Sequence, residues 1–214
     1  MIWFYQAFAK ITGWPLQKLI FRTKVLYEDK RVQSRRIKGA AILVSNHTSI
    51  YDYIVMMFTF ISRTLRYQMA ELLFDKKGLG GLLKRLGGIK VDRNSHNYGF
   101  IEKSKDILDK GGVVGIFPEG RLPKDGEVPP IEFKPGAAYL ALYSDVRIIP
   151  TYLSGGYFGK KRAKIVIGKP IDVNELYDSS KSEKENLEYI SNRLREKVIE
   201  LGTLIDGKQK RKQA

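Results

Sequence analysis

Strand and helix signals alternate through most of this chain, and that alternation limits its possible folds more than any other feature. Ala40 to Ser45 is an apolar run of the kind a fully buried strand shows, and Ile50 to Ile61 follows it with helical character. Leu65 to Met69, Gly88 to Val91, Val113 to Phe117, Val146 to Leu153 and Ala163 to Ile167 read as further strands. Leu79 to Leu86, Phe100 to Leu108 and Gly136 to Tyr143 read as the helices between them, and Glu183 to Leu204 as a final amphipathic one. The alternation predicts an α/β fold, with a mostly parallel sheet flanked by helices on both faces. A length of 214 residues suits one such domain.

The longest stretch without a charged side chain runs from Gly39 to Tyr51, 13 residues against the roughly 18 to 20 needed to span hydrocarbon. No transmembrane helix is expected. Aromatics stand where a signal peptide carries basic residues, and no A-x-A site follows, so the N-terminus does not read as a cleaved leader. At helical period Trp3, Phe4, Ala7, Phe8 and Ile11 make one apolar stripe, and after a break at Gly13-Trp14-Pro15 the residues Leu16, Leu19, Ile20 and Tyr27 make a second. Two short amphipathic helices are therefore expected in residues 1–30. Lys10, Lys18, Arg22 and Lys24 accompany them with no acid before Glu28, a composition suited to an anionic membrane interface. A helical hairpin packed on the protein's own core has the same pattern, and Trp at both ends favours the membrane. The expected location is the cytoplasmic face of the cell membrane, peripheral or monotopic. The α/β domain then covers residues 31–206, and a basic, solvated tail covers 207–214.

Lys and Arg number 38 against 23 Asp and Glu, and the formal charge of +15 favours nucleic acid, an acidic lipid surface or a phosphorylated substrate. A nucleic-acid binder should show a recognition helix or an exposed aromatic platform; neither is found, and no nucleic-acid partner is expected. With no cysteine and two histidines, disulfides, thiolate nucleophiles and Cys-bearing zinc sites are ruled out.

Candidate chemistry sits where strands end, as in open α/β sheets. In the stretch from Ser45 to Asp52, His47 and Asp52 are five residues apart; on one regular helix, at about 100° per residue, they would point about 140° away from each other. They meet only if the helix begins between them, with Ser49 as N-cap, Asp52 at N3 and His47 in the preceding loop. Asp52 can then hold one ring nitrogen while the other is presented to a substrate. The competing local reading is a Ser49-x-x-Asp52 capping box in which Asp52 serves only the helix. Two later strands end in Asp92-Arg93 and in Phe117-Pro118-Glu119-Gly120-Arg121, where an arginine fork suits a phosphate monoester and a surface ion pair is the plainer reading. Gly115 to Leu122 imitates the glycine spacing of a P-loop but lacks its Lys-Ser/Thr.

Together these blocks resemble the lysophosphatidic acid acyltransferase family, the 1-acylglycerol-3-phosphate O-acyltransferases. His47 and Asp52 fill its His-x4-Asp block, Gly88 to Arg93 its second, Phe117 to Arg121 its Phe-Pro-Glu-Gly block, and Ile148-Ile149-Pro150 its fourth, in order over residues 40–153. The resemblance implies that His47 is a general base oriented by Asp52, and that Arg93, Glu119, Gly120 and Arg121 shape a glycerol-phosphate site. It implies a lysophospholipid acceptor, lysophosphatidic acid above all, and neither an acyl-enzyme, a metal nor a cofactor. The co-substrate would be an acyl-CoA or acyl carrier protein thioester, which makes acyl carrier protein a candidate partner. An enzyme acylating glycerol-3-phosphate or a lyso-aminolipid would share the His-x4-Asp block, and a non-catalytic membrane adaptor would have no need of it.

Two departures stand out. The family usually reads Glu-Gly-Thr-Arg, whereas Arg121 directly follows Gly120 and leaves the loop one position early. Many relatives also carry a lysine near the third strand end; between Arg66 and Lys76 this chain has no basic residue, leaving Lys90 or Lys84 to compensate. The chemistry itself is simple. An imidazole of pKa near 6.5 can take a glycerol hydroxyl's proton as it attacks a thioester. Backbone amides at the helix N-terminus beside His47 are the expected oxyanion donors.

Overall fold

Ala41–Ser45 (β2) is buried at every position and lies inside a seven-stranded sheet, as a continuous apolar run requires. The computed structural model describes residues 1–92, 99–160 and 162–210. In chain order the other elements are α1 (Ile2–Ile20), β1 (Lys24–Tyr27), α2 (Asp52–Thr59), β3 (Leu65–Ala70), α3 (Leu79–Arg85), β4 (Ile89–Val91), α4 (Gly99–Asp109), β5 (Val113–Ile116), α5 (Gly136–Ser144), β6 (Ile148–Leu153), β7 (Lys164–Ile167) and α6 (Glu183–Lys210). The strand order is β1-β7-β6-β2-β5-β3-β4, and every neighbouring pair is parallel except β6 and β7. This is the expected α/β architecture.

Side-chain alternation along β2 divides the core between the two faces. Leu43 joins Ile149, Tyr67 and the α2 residues Val55, Met56 and Phe58 on one face. Ile42 and Val44 join Ala138 of α5, Leu108 of α4 and Leu194 of α6 on the other. From β2 the chain passes into α2 on the first face, while from the adjacent β5 it passes into α5 on the second. The two loops diverge at the carboxyl ends of neighbouring strands, which opens the crevice where sheets of this kind bind ligands.

The N-terminal segment departs from the expected pair of helices. α1 runs unbroken through Pro15, which sits on an exposed part of the helix. The carbonyl it deprives of a partner belongs to Ile11, itself exposed. Gly13 is not a break either: a Cβ there would lie 2.8 Å from the Phe58 ring, so the bare backbone lets α1 cross closely over α2. Arg22, at φ 44°, turns the chain out of the helix. Lys24–Tyr27, read as the end of a second helix, is instead an edge strand paired with β7, so the sheet draws its first strand from within residues 1–30. The short run Val25-Leu26-Tyr27 has the β-branched and aromatic side chains that a half-buried strand favours.

α1 meets the core through Ala9, Gly13 and Trp14, and through a buried polar pair. Gln6 and Lys10 are the residues it buries, at 1% and 5% exposure. The Gln6 amide donates to the carbonyls of Leu65 (2.6 Å) and Leu86 (2.7 Å) and accepts from the Leu65 N–H (3.0 Å). Lys10 Nζ donates to the carbonyls of Arg63 (2.6 Å) and Ile61 (3.3 Å). These contacts satisfy backbone groups at the start of β3 and the end of α3. Trp3, Phe4, Phe8, Ile11, Leu16 and Leu19 are left between 59% and 76% exposed. The helix therefore buries a polar pair, packs Ala9 and Trp14 on the core, and leaves a broad apolar stripe facing outward. Among the described residues no helix is long and apolar enough to cross a membrane.

Candidate functional site

Where β2 ends, Asn46 fixes the direction in which the chain leaves the sheet. Its side-chain amide donates to the Leu153 carbonyl and accepts from the Leu153 N–H, both at 2.8 Å. Helix α2 opens at Asp52 itself, two residues later than a Ser49 cap requires. Ser49 Oγ still accepts from the Tyr51 N–H (3.2 Å), and the Asp52 carboxylate reaches back to the N–H groups of Ser49 (2.9 Å) and Thr48 (2.6 Å). The same Oδ2 meets His47 Nδ1 at 2.8 Å. The capping and dyad readings of the motif thus hold together, in one carboxylate.

Oδ1 of Asp52 accepts from Thr48 Oγ1 (3.0 Å) and from the Tyr157 hydroxyl. The carboxylate has no exposure, so these donors stand in for water. An ionised carboxylate only accepts; Nδ1 therefore carries the ring proton and Nε2 the lone pair. The His47 ring lies flat on Phe117, centroids 4.3 Å apart and planes 10° apart. Phe117 leans on Tyr67, and Tyr67 lies over Gly115, where a Cβ would fall 2.2 Å from its ring. Gly115 is thus needed to seat the aromatic stack under the histidine, not to cradle phosphate.

Glu119 turns inward onto the His47 loop and also lines a cavity beside the Arg121 loop. At 2% exposure, its Oε1 accepts from the His47 N–H at 3.0 Å, and the Ile131 N–H also donates to the carboxylate. Oε2 has no hydrogen-bond partner among the described residues. Burial, only partly offset by the two amides, pushes the Glu119 carboxyl up to about 7. Gly120 closes the turn at φ 70°, its N–H donating to the Phe117 carbonyl at 2.9 Å. The stem and ammonium of Lys134 lie 3.4 to 3.5 Å from where a Gly120 Cβ would be.

Arg121 is held away from the crevice's own chemistry by a bidentate pair with Glu127, at 2.6 and 2.7 Å. That guanidinium draws the Glu127 carboxyl down to about 2. Arg93 lies outside the described residues, as do 211–214 of the expected tail. Lys90 is engaged by Glu71, and Lys84 is exposed on α3, so neither replaces the lysine absent after β3.

Four of the backbone amides around His47 have partners within the site. The N–H of His47 goes to Glu119, those of Thr48 and Ser49 to Asp52, and that of Tyr51 to Ser49 Oγ. A cavity of about 340 Å³ reaches Phe117 from the side of β3 and β4, lined by Met69, Val91, Gly120, Lys134 and Gly136 among others. A larger one, about 660 Å³, lies between the Arg121 loop and α6 and also touches Lys134. The smaller cavity is the one that borders the ring carrying His47. Lys134 and Tyr157 are site residues that sequence reasoning missed. The signals were present in Phe133-Lys134-Pro135-Gly136 ahead of a helix and in Gly155-Gly156-Tyr157 beyond a strand.

Comparison with known proteins adds independent findings. The family model described as Acyltransferase matches residues 24–154. The chain is 25% identical over 170 residues to 1-acyl-sn-glycerol-3-phosphate acyltransferase of Bacillus subtilis (strain 168), covering 77% of this chain and 82% of that one. It is 29% identical over 173 residues to 1-acyl-sn-glycerol-3-phosphate acyltransferase beta of Homo sapiens, covering 78% of this chain and 60% of that one. Among solved structures, the 1-acyl-sn-glycerophosphate (LPA) acyltransferase PlsC from Thermotoga maritima superposes with a TM-score of 0.62 at 21% identity, over 92% of this chain and 79% of that one, a likeness of fold.

Glu119 generates a testable pH dependence. Its folded pKa, about 7, lies above the ordinary 4.5, so the folded state binds more protons than the unfolded between those values. The contribution of Glu119 to stability is then fully present below pH 4.5 and is lost, by about 3 kcal/mol, as pH rises from there through 7. Glu119→Gln, the neutral counterpart that still accepts from both amides, should flatten that fall in urea melts taken from pH 4.5 to 8. Glu119→Ala should lose more turnover than the Gln variant, because it frees the His47 loop. Equal losses for both variants would mean that the carboxylate's charge acts on substrate.

Proposed function

The chain belongs to the acyltransferase family, and on that premise we propose that it moves a fatty acyl chain from a thioester donor, acyl-CoA or acyl carrier protein, to the sn-2 hydroxyl of lysophosphatidic acid, giving phosphatidic acid. The observation that carries this reading is the His47 ring, fixed through Nδ1 by a buried Asp52 and with no partner on Nε2 among the described residues. In the reaction Nε2 takes the hydroxyl proton as the oxygen attacks the thioester carbonyl carbon. A tetrahedral intermediate forms, the carbon–sulfur bond breaks, and the imidazolium returns the proton to the departing thiolate. Asp52 holds the ring's tautomer and steadies the imidazolium, as in a serine-protease dyad but with the substrate's own oxygen as nucleophile.

The acceptor's phosphate needs cations, and two stand near the β5 loop. Lys134 reaches into the cavity beside Phe117, and Arg121 is available when phosphate displaces Glu127 from an exposed pair of low intrinsic strength. Glu119 and Gly120 serve this site by shaping the loop rather than by touching substrate. An acyl product that stays in the bilayer explains the outward apolar face of α1, flanked by Lys18, Arg22 and Lys24. The protein then works as a peripheral or monotopic enzyme on the cytoplasmic face, drawn to anionic lipid.

Offered labelled acyl donor with lysophosphatidic acid, glycerol-3-phosphate and a lyso-aminolipid in parallel, the protein should acylate the first fastest; preference for another acceptor would replace this reading with that one. Lys134→Ala and Arg121→Ala each remove a charge-assisted contact worth about 1.5 to 3 kcal/mol, which is a 10- to 100-fold rise in KM for lysophosphatidic acid. On an acceptor lacking phosphate, neither should matter. Equal losses on both acceptors would remove those side chains from the phosphate.

Membrane docking is best tested by point changes, because deleting residues 1–27 would also remove β1. Trp3→Ser, Phe8→Ser and Ile11→Ser together leave Gln6 and Lys10 in place and should abolish cosedimentation with anionic vesicles while the circular dichroism spectrum is kept. High salt should weaken the native protein's binding without abolishing it, since screening does not touch apolar burial. Undiminished cosedimentation of the triple variant would place the docking surface elsewhere.

A further inference from the structure

Tyr157 stands outside every sequence motif of the site, yet its hydroxyl reaches the catalytic carboxylate. It follows β6 through Gly155 and Gly156, both at φ 65°, which fold the chain back over the His47 loop. A Cβ on Gly155 would lie 3.1 Å from Thr48, so the approach depends on glycine there. The ring is 4% exposed and stands edge-on to Phe21, the residue that ends α1, at 5.7 Å and 89°. Its hydroxyl donates to Asp52 Oδ1. Burial and the neighbouring carboxylate push the phenol's pKa far up, so it remains a donor throughout the working range.

We propose that Tyr157 is a positioning residue that sets the basicity of His47 by drawing the charge of Asp52 toward Oδ1. His47 Nδ1 bonds the other oxygen, Oδ2. A donor on Oδ1 polarises the carboxylate away from the imidazole, weakens its hold on the imidazolium, and keeps Nε2 unprotonated to lower pH. It also stops the carboxylate rotating about its bond to the helix. The other titratable groups around the dyad act differently. Glu119 meets the His47 backbone rather than the ring, and the Tyr67 hydroxyl, buried beneath Asp52 with its proton held by burial, makes no bond to the carboxylate. Phe21 gives the arrangement a second consequence: the end of the membrane-facing helix packs on the ring whose hydroxyl holds Asp52.

The proposal rests on His47 as the base, and the test separates the two. NMR titration reads the His47 imidazole directly, with His96 as the other histidine of the chain. Tyr157→Phe keeps the ring on Phe21 and removes the hydroxyl. It should raise the His47 pKa by about 0.5 to 1 unit and move the acid limb of kcat with it. Turnover should fall roughly 3- to 10-fold below that limb, much less above it, with KM within about 2-fold. A merely structural role would lower the rate alike at all pH values and leave the titration where it was. That result, in an enzyme that transfers acyl groups normally as the wild type, overturns the proposal. A wild type that transfers no acyl group would overturn the functional reading instead, while a shifted titration in the variant would still support the link from Tyr157 to His47.

Discussion

A carboxylate with no access to water is the constraint around which this site is built. Burying a charge costs several kcal/mol unless donors replace its hydration, and Asp52 receives them from the backbone of Thr48 and Ser49, the Thr48 hydroxyl, the His47 ring and Tyr157. Each donor fixes a piece of chain. The two amides set the loop between β2 and α2, the hydroxyls bring the loop after β6 against it, and the ring is left with one orientation. Removing the carboxylate would orphan all of these at once, which is why the loop has a single shape with so little regular structure. Glu119 and Asn46 complete it from the neighbouring strands, holding the His47 amide from the β5 side and the chain's exit from β2 on the β6 side.

The features legible in the sequence were those carried by local pattern. The buried strands at Ala41–Ser45 and Val113–Ile116 announce themselves as apolar runs, and the ends of such strands are where chemistry gathers in an α/β sheet. His47 and Asp52 could be paired by the geometry of a helix start, although the start falls at Asp52 and not at Ser49. The missed features needed tertiary knowledge. β1 has four residues and is a strand only because β7 is there to pair with it. Gly13 and Pro15 look like a helix break until Phe58 is seen filling the space beside the glycine. Glu119 falls in a strand-end motif tied by resemblance to a glycerol-phosphate site, and only the fold shows its carboxylate turned onto the His47 amide. Tyr157 lies 105 residues from Asp52, and no spacing rule connects them.

α1 shows how misleading composition can be when the solvent is unknown. Its apolar residues look like core formers, yet its buried positions are Gln6 and Lys10, polar groups that close backbone carbonyls around the start of β3 and the end of α3, with Ala9 and Trp14 packed on the core beside them. The outward stripe is the surface that the proposed membrane docking would use. Phe21 joins that surface to the site, packing on Tyr157 on one side and against the exposed Phe158 on the other. The proposed docking surface and the candidate site are thus neighbours in the fold.

The central claim is that His47 acts as general base and is more than a structural partner of Asp52. It is tested most directly by the rate of acyl transfer from a labelled thioester to lysophosphatidic acid in His47→Ala, measured on protein whose melting temperature has been checked. The account predicts a fall of about 100-fold or more with melting little changed, the usual contribution of a positioned base. A variant that keeps near-native turnover would contradict it and would leave the Asp52–His47 pair as a structural cap.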